Sequence, residues 1–269
     1  MTILLPGINI KTKTNKKIVN EHVLNNEDNI NYAYHAGLAD GDGCFTKQSE
    51  YSLKMLYEEP IHQLHHLYLA SVTLMPRDKR SWVNEYEPRK SINLTSIRLT
   101  HFIKKVAPFL IEKQNKALNI LNKKGINDYS CNYKQHNKQE FLSYLAGFID
   151  AEGSVEFRPN KSKYSVSWSN YNLEIIEFIK DNLKKYLDLD TKITIIKHKK
   201  EVTFKNKTTA DVDKKYFRKS KFTYITNISG QKSIPLLKQI VDLLTIPPKK
   251  ENALKIINHT YNKRVHKHD

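Results

Sequence analysis

One pattern occurs twice in this chain and constrains everything else. It reads Tyr34-His35-Ala36-Gly37-Leu38-Ala39-Asp40-Gly41-Asp42-Gly43-Cys44-Phe45, and again Tyr144-Leu145-Ala146-Gly147-Phe148-Ile149-Asp150-Ala151-Glu152-Gly153-Ser154-Val155. Each copy is an apolar helix end of small residues that closes on Asp, a small residue, a second acid and Gly. The second acids, Asp42 and Glu152, lie 110 positions apart, so the chain reads as two related halves. Ala36, Gly37, Ala146 and Gly147 carry almost no side chain. Helices meeting there can touch backbone to backbone, with Leu38, Phe148 and Ile149 filling either side. The two acids then lie together.

Two adjacent carboxylates at the negative ends of two helix dipoles are unfavourable as structure. They become favourable when a hard divalent cation binds. Mg²⁺ takes oxygen ligands and is commonly held by one or two carboxylates plus phosphate oxygens. The formal net charge is +17, from 45 basic and 28 acidic residues, which favours a polyanionic partner, nucleic acid first. A basic protein with paired acids points to phosphodiester hydrolysis. Asp40 and Asp150, two residues before the paired acids, are expected to make local turn hydrogen bonds.

Other classes are disfavoured. Cys44 and Cys131 are too few for a disulfide framework and lack zinc spacing, which fits a reducing, intracellular compartment. His62, His65 and His66 read as one face of an ordinary helix. No apolar run is long enough to span a membrane, and residues 1–20 lack the apolar core of a secretory signal. Lys, Asn, Ile and Tyr suit an A/T-rich gene, a mitochondrion or chloroplast being one such source.

In chain order, residues 1–28 read as a poorly ordered arm and 29–124 as the first repeat. A motif helix is expected over 29–39, capped by Asn29. Strands follow at 44–48 and 51–57, a helix at 60–70, strands at 72–75 and 91–97, and helices at 101–111 and 113–123. Residues 125–138 read as a linker and 139–263 as the second repeat. There the motif helix covers 139–151, strands cover 154–158 and 164–170, and a helix begins at Asn172. Strands at 192–197 and 221–228 follow, with 201–204 extending them, then helices at 234–244 and 249–261. The chain end from Arg264 is expected to fray. The fold class is α+β.

The doubled motif closely resembles the namesake motif of the LAGLIDADG homing endonucleases in their single-chain, two-repeat form. The second copy matches well, whereas the first departs at His35 and Ala39. The resemblance covers roughly 29–261. It implies two pseudo-symmetric αββαββα halves, saddle-shaped antiparallel sheets astride DNA, and motif helices at the central interface. It implies a monomer that cuts both strands of a long, pseudo-palindromic target across the minor groove, leaving short 3′ overhangs. Asp42 and Glu152 would bind Mg²⁺, about two or three ions per site, with the carbonyls of Gly41 and Ala151 near the metals. The family's basic residue after each fourth strand is best matched by Arg98 and Lys232, although either also reads as a solvated helix start. The polar residue ending the second strand matches Asn170. The first half offers Tyr57 and Glu58 there instead.

Strands in a major groove present alternate side chains to base edges. Period-two counting turns Gln48, Ser52, Lys54, Glu156, Arg158, Ser165, Ser167 and Ser169 outward, opposite Phe45, Leu53, Met55, Val155, Val166 and Trp168. Arg77, Lys79, Arg80 and Asn93 add DNA contacts in the first half, and Lys192, Lys197, Lys199, Lys200, Arg218 and Lys221 in the second. Many of these would touch only phosphate. The expected activity is intron-type homing by site-specific DNA cleavage. An RNA maturase acting on intron RNA and a non-catalytic DNA-binding regulator are the rivals.

Overall fold

A computed structural model describes residues 2–3, 31–46, 49–55, 59–75, 89–126, 136–158, 163–198, 201–204, 214–217 and 222–265. The first half contains β1 (Thr2–Ile3), α1 (Tyr32–Gly41), β2 (Cys44–Phe45), β3 (Glu50–Met55), α2 (Glu59–Tyr68), β4 (Val72–Met75), β5 (Arg89–Thr95), α3 (Ser96–Val106) and α4 (Gln114–Lys123). The second contains α5 (Lys138–Glu152), β6 (Gly153–Arg158), β7 (Lys163–Asn170), α6 (Leu173–Leu187), β8 (Ile193–Lys197), β9 (Glu201–Phe204), β10 (Lys214–Phe217), β11 (Phe222–Ser229), α7 (Ser233–Ile240) and α8 (Pro247–Val265). Both halves follow the order helix, two strands, helix, two strands, helices, with β1 added before the first half and the β9–β10 pair inserted between β8 and β11 of the second. The fold is α+β, as expected.

The sheets are antiparallel, ordered β1-β4-β5-β3-β2 in the first half and β6-β7-β11-β8 in the second. Each buries one face. Tyr51, Leu53, Met55, Ile92 and Leu94 turn inward in the first sheet, and Val155, Val166, Trp168 and Ile228 in the second. The cores join through α1 and α5 in one continuous cluster.

The motif helices touch through their glycines. A Cβ added at Gly37 would lie 2.0 Å from the carbonyl oxygen of Tyr144, and one at Gly147 would lie 2.0 Å from that of Tyr34. No side chain fits either place, so the small-residue pattern is what permits the junction. Asn31 caps α1 by accepting the Tyr34 N–H, and it donates to Ser143 Oγ across the junction at 2.9 Å. Asn137 and Glu140 form a reciprocal capping box on α5.

Several expectations need correction. The α1 cap is Asn31, so the helix starts later than residue 29 and runs on to Gly41. The arm contributes Thr2–Ile3 as an edge strand on β4; the rest of it, apart from the residues just named, lies outside the described residues. The fourth strand stops at Thr95 because Ser96, at φ 52°, turns the chain directly into α3. The segment β9 does not extend the second sheet. It pairs locally with β10 from the same basic insertion.

Candidate active site

Asp42 is the C-cap of α1, its N–H bonded to the Leu38 carbonyl at 2.9 Å, and Glu152 is the last residue of α5. Both side chains are exposed. The helix ends are in contact: a Cβ at Gly41 would lie 2.4 Å from the Ala151 Cβ and 3.1 Å from the Glu152 Cγ. The Glu152 carboxyl is held above its ordinary range, chiefly by partial burial and then by the charge of Asp42, while Lys113 and Lys249 oppose the shift. The two acids therefore share one electrostatic environment.

Asp40 and Asp150 do not make the local turn bonds expected of them. Asp40 accepts the N–H groups of Ile111 at 2.7 Å and Lys113 at 2.9 Å, and the hydroxyl of Tyr144 at 2.9 Å. Asp150 accepts the N–H of Thr245 at 2.8 Å and the hydroxyl of Tyr34 at 2.8 Å. Each tyrosine belongs to the opposite half. The bonds are long-range because both carboxylates point inward from helices that are buried all round, where the nearest donors come from other elements. Burial pushes the Asp40 carboxyl up to about 6 despite its donors, and raises Asp150 in the same way.

Two lysines complete the layer. Lys113 Nζ donates to the carbonyls of Ala39, Asp40 and Gly41 at 2.7, 2.7 and 3.0 Å. Lys249 Nζ donates to those of Ile149 and Asp150 at 2.8 and 2.7 Å. Burial lowers the pKa of both.

A cavity of about 600 Å³ opens beside Glu152, lined among others by Gly41, Glu112, Lys113, Asn170, Tyr171 and Tyr224. It brings together three predicted site residues: Glu152, Gly41 and Asn170. Asn170 ends β7, and its Oδ1 is fixed by the Asn172 N–H at 2.8 Å. No cluster of three or more His, Cys, Asp or Glu suited to a metal occurs among the described residues. The donor set of two carboxylates, main-chain carbonyls and an amide is all oxygen, which suits Mg²⁺ completed by phosphate and water.

Arg98 lies in the first turn of α3, with Nε and Nη2 buried and without a hydrogen-bond partner. Lys232 is exposed in the turn Gly230–Lys232 and does not line the Glu152 cavity. On the outward sheet faces, Ser52 pairs in register with Asn93, and Lys54 is exposed beside Ser91. Ser167 and Ser169 share their outward face with Glu156 and Arg158, which form an ion pair at 3.0 Å. Ser165 shares that face but is only 7% exposed, being a short side chain between its register partners Glu156 and Ser229. Lys192 is exposed just before β8. Lys197 pairs with Phe222, on the parity of Tyr224 and Trp168, so it belongs to the opposite face from the serines. Gln48, Tyr57, Glu58, Arg77, Lys79, Arg80, Lys199, Lys200, Arg218 and Lys221 lie outside the described residues.

Sequence reasoning missed Tyr34, Tyr144, Lys113, Lys249 and Glu112. The tyrosines carried a readable signal, since each stands six residues before its own motif's first Asp. The lysines did not, because they follow their acids by 71 and 97 residues. The basic insertion in the second half hides the equivalence.

Residues 140–240 match the family model of the LAGLIDADG-like domain. No curated protein matches the chain. Among solved structures, the chain is similar to the homing endonuclease I-WcaI bound to its DNA recognition sequence, at 13% identity and TM-score 0.49, covering 93% of this chain and 98% of that one. It is also similar to I-DmoI in complex with DNA and Mn, at 16% identity and TM-score 0.40, covering 78% and 95%. Full-length DUF199/WhiA from Thermatoga maritima is similar at 14% identity and TM-score 0.47, covering 93% and 70%. Residues 140–240 thus match the LAGLIDADG-like domain, and the first half repeats the same order of helices and sheet strands.

Proposed function

We propose that this protein is a monomeric, site-specific DNA endonuclease that cuts both strands by Mg²⁺-dependent phosphodiester hydrolysis, its repeats spanning 29–124 and 139–263. The observation that carries the reading is the contact of the two motif helix ends, which sets Asp42 beside Glu152 at an exposed junction between two sheets of a strongly basic chain.

Each part has a definite task. The carboxylates of Asp42 and Glu152, with the carbonyls of Gly41 and Ala151, would hold the ions. A divalent ion in such a place lowers the pKa of bound water and stabilises the leaving oxygen. Asn170, fixed by its own turn, orients the attacking water in the Glu152 cavity. Arg98 is assigned to a phosphate oxygen whose charge grows in the transition state. Lys232 reaches a phosphate from solvent. The outward residues of β3, β5, β6 and β7 lie against the DNA. Because these faces differ between the halves, the target is long and only approximately palindromic.

The test is incubation with a library of A/T-rich duplexes and Mg²⁺. Site-specific double-strand cuts with 3′ overhangs support the reading. Tight duplex binding without cutting would make the protein a regulator, and strong preference for structured RNA would make it a maturase.

A further inference from the structure

Two isoleucines interrupt the serine-rich outward face of the second sheet. Register sets their place. Ile225 in β11 lies opposite Ser169 on one side and Thr194 on the other, and Ile196 in β8 lies opposite Thr223. Directly opposed residues of an antiparallel pair share a face, so Ile196 and Ile225 stand with Ser167 and Ser169 as diagonal neighbours across two strands. Ile196 is 41% exposed and Ile225 is partly exposed. The core takes its apolar residues from the other face, where Trp168, Val166 and Ile228 are buried. The charged register positions of the outward face, Glu156, Arg158 and Lys163, lie at its far end. The end next to Asn170 is neutral, with the hydroxyls of Ser169, Thr194 and Thr223 flanking the two isoleucines.

A neutral, partly apolar surface gains little from phosphate. The base edges of a major groove offer it one apolar group, the C5 methyl of thymine, while hydroxyls bond to donors or acceptors alike. We infer that Ile196 and Ile225 are specificity-determining residues that read thymine methyl groups in the half-site on the Glu152 side. The inference rests on the reading that the outward sheet faces lie against DNA, and it adds β8 and β11 to that surface. Ser169, opposite Ile225, directly precedes Asn170, which lines the cavity with Glu152. The thymines therefore lie close to the cut made there. The first sheet is built differently. Cys44 pairs with Ser52 as Ser154 pairs with Ser167, so Lys54 holds the place of Ser169, and Ser91 opposite it holds that of Ile225. The dependence on thymine methyls at these positions is confined to one half-site.

The experiment selects duplexes from a randomised library by binding without Mg²⁺, then replaces single thymines of the selected target with deoxyuridine, which removes the methyl and nothing else. Wild-type affinity should fall by about fourfold per methyl at one or more positions of one half-site, the value of one buried methyl group. Deoxyuridine in the other half-site should leave affinity unchanged. Ile196→Ala and Ile225→Ala should each bind thymine and deoxyuridine targets alike at the position that residue reads. Ile195→Ala is the control: Ile195 is 60% exposed on the same strand but pairs with Tyr224 on the opposite face, so this variant should keep the discrimination. The deoxyuridine series uses wild-type protein and decides the matter even where a variant folds poorly. Equal affinity for thymine and deoxyuridine targets overturns the inference, as does discrimination that survives both substitutions together. A protein that discriminates thymine as expected but cuts nothing with Mg²⁺ overturns the nuclease reading and leaves this inference intact. A protein that selects no duplex overturns both.

Discussion

The hydroxyl of Tyr34 donates to the carboxylate of Asp150 at 2.8 Å, and the bond crosses from one half of the chain to the other. Tyr144 returns it to Asp40 at 2.9 Å. Together with the Asn31–Ser143 bond, these two bonds clamp a junction that otherwise rests on apolar packing and glycine contact. Removing one hydroxyl leaves a buried carboxylate short of a donor. Tyr34→Phe and Tyr144→Phe should each cost about 1–3 kcal/mol in denaturant unfolding. Values within experimental error of wild type would show that the crossed bonds do not hold the halves together.

The glycine contacts give a larger effect. With the added Cβ of Gly37→Ala only 2.0 Å from a main-chain oxygen, the helices must move apart. A loss of about 3 kcal/mol or more is expected, at the upper end of overpacking costs. Gly125→Ala is an instructive contrast, because a Cβ there meets nothing within 4 Å and any penalty comes from φ 75° alone.

His35 replaces the apolar residue that the second copy has at Leu145. It is fully buried, bonded to Gln63 at 3.0 Å, and burial lowers its pKa to about 4. The unfolded chain therefore takes up a proton below about 6.5 that the folded chain refuses. The contribution to stability is complete above pH 6.5 and is lost as pH falls to 4, roughly 3 kcal/mol in all. Asp40, raised to about 6, acts in the opposite sense, favouring the fold at low pH and losing that advantage as pH rises from 3.8 to 6. The two slopes largely offset each other in the wild type. The difference between wild type and His35→Leu isolates the histidine: from pH 7 to pH 4.5 the variant should gain stability relative to wild type, because only the Asp40 slope remains. An equal change in both proteins would mean His35 is not buried neutral.

DNA affinity should depend steeply on salt. With six or more phosphates neutralised, affinity falls by about 10³ or more between 50 and 200 mM salt. Fluorescence anisotropy on a duplex measures this directly, and a shallow slope would argue against binding dominated by phosphate contacts.

The division between what was legible in the sequence and what was not has physical causes. The small-residue helices and their acids were legible because close packing and metal binding each demand particular residue types at fixed spacing. Sheet faces followed from period-two burial, and Leu53 and Val166 turned inward as counted. The face of Lys197 was not legible, because it depends on register with Phe222, a residue 25 positions away. Asp40 and Asp150 looked like turn residues because their partners, Ile111, Thr245 and the opposite tyrosines, become neighbours only when the whole core assembles. Ser96 hid the end of β5, since its left-handed backbone leaves no mark in hydropathy.

The most direct measurement is strand-resolved cleavage of a selected duplex by wild type, Asp42→Asn and Glu152→Gln, with DNA binding measured in parallel. Both variants should bind DNA as the wild type does. Each should lose the cut made from its own side by at least about 100-fold, as expected when a carboxylate that would hold the charge-stabilising ion is removed. Near-wild-type cleavage of both strands by either variant would contradict the account.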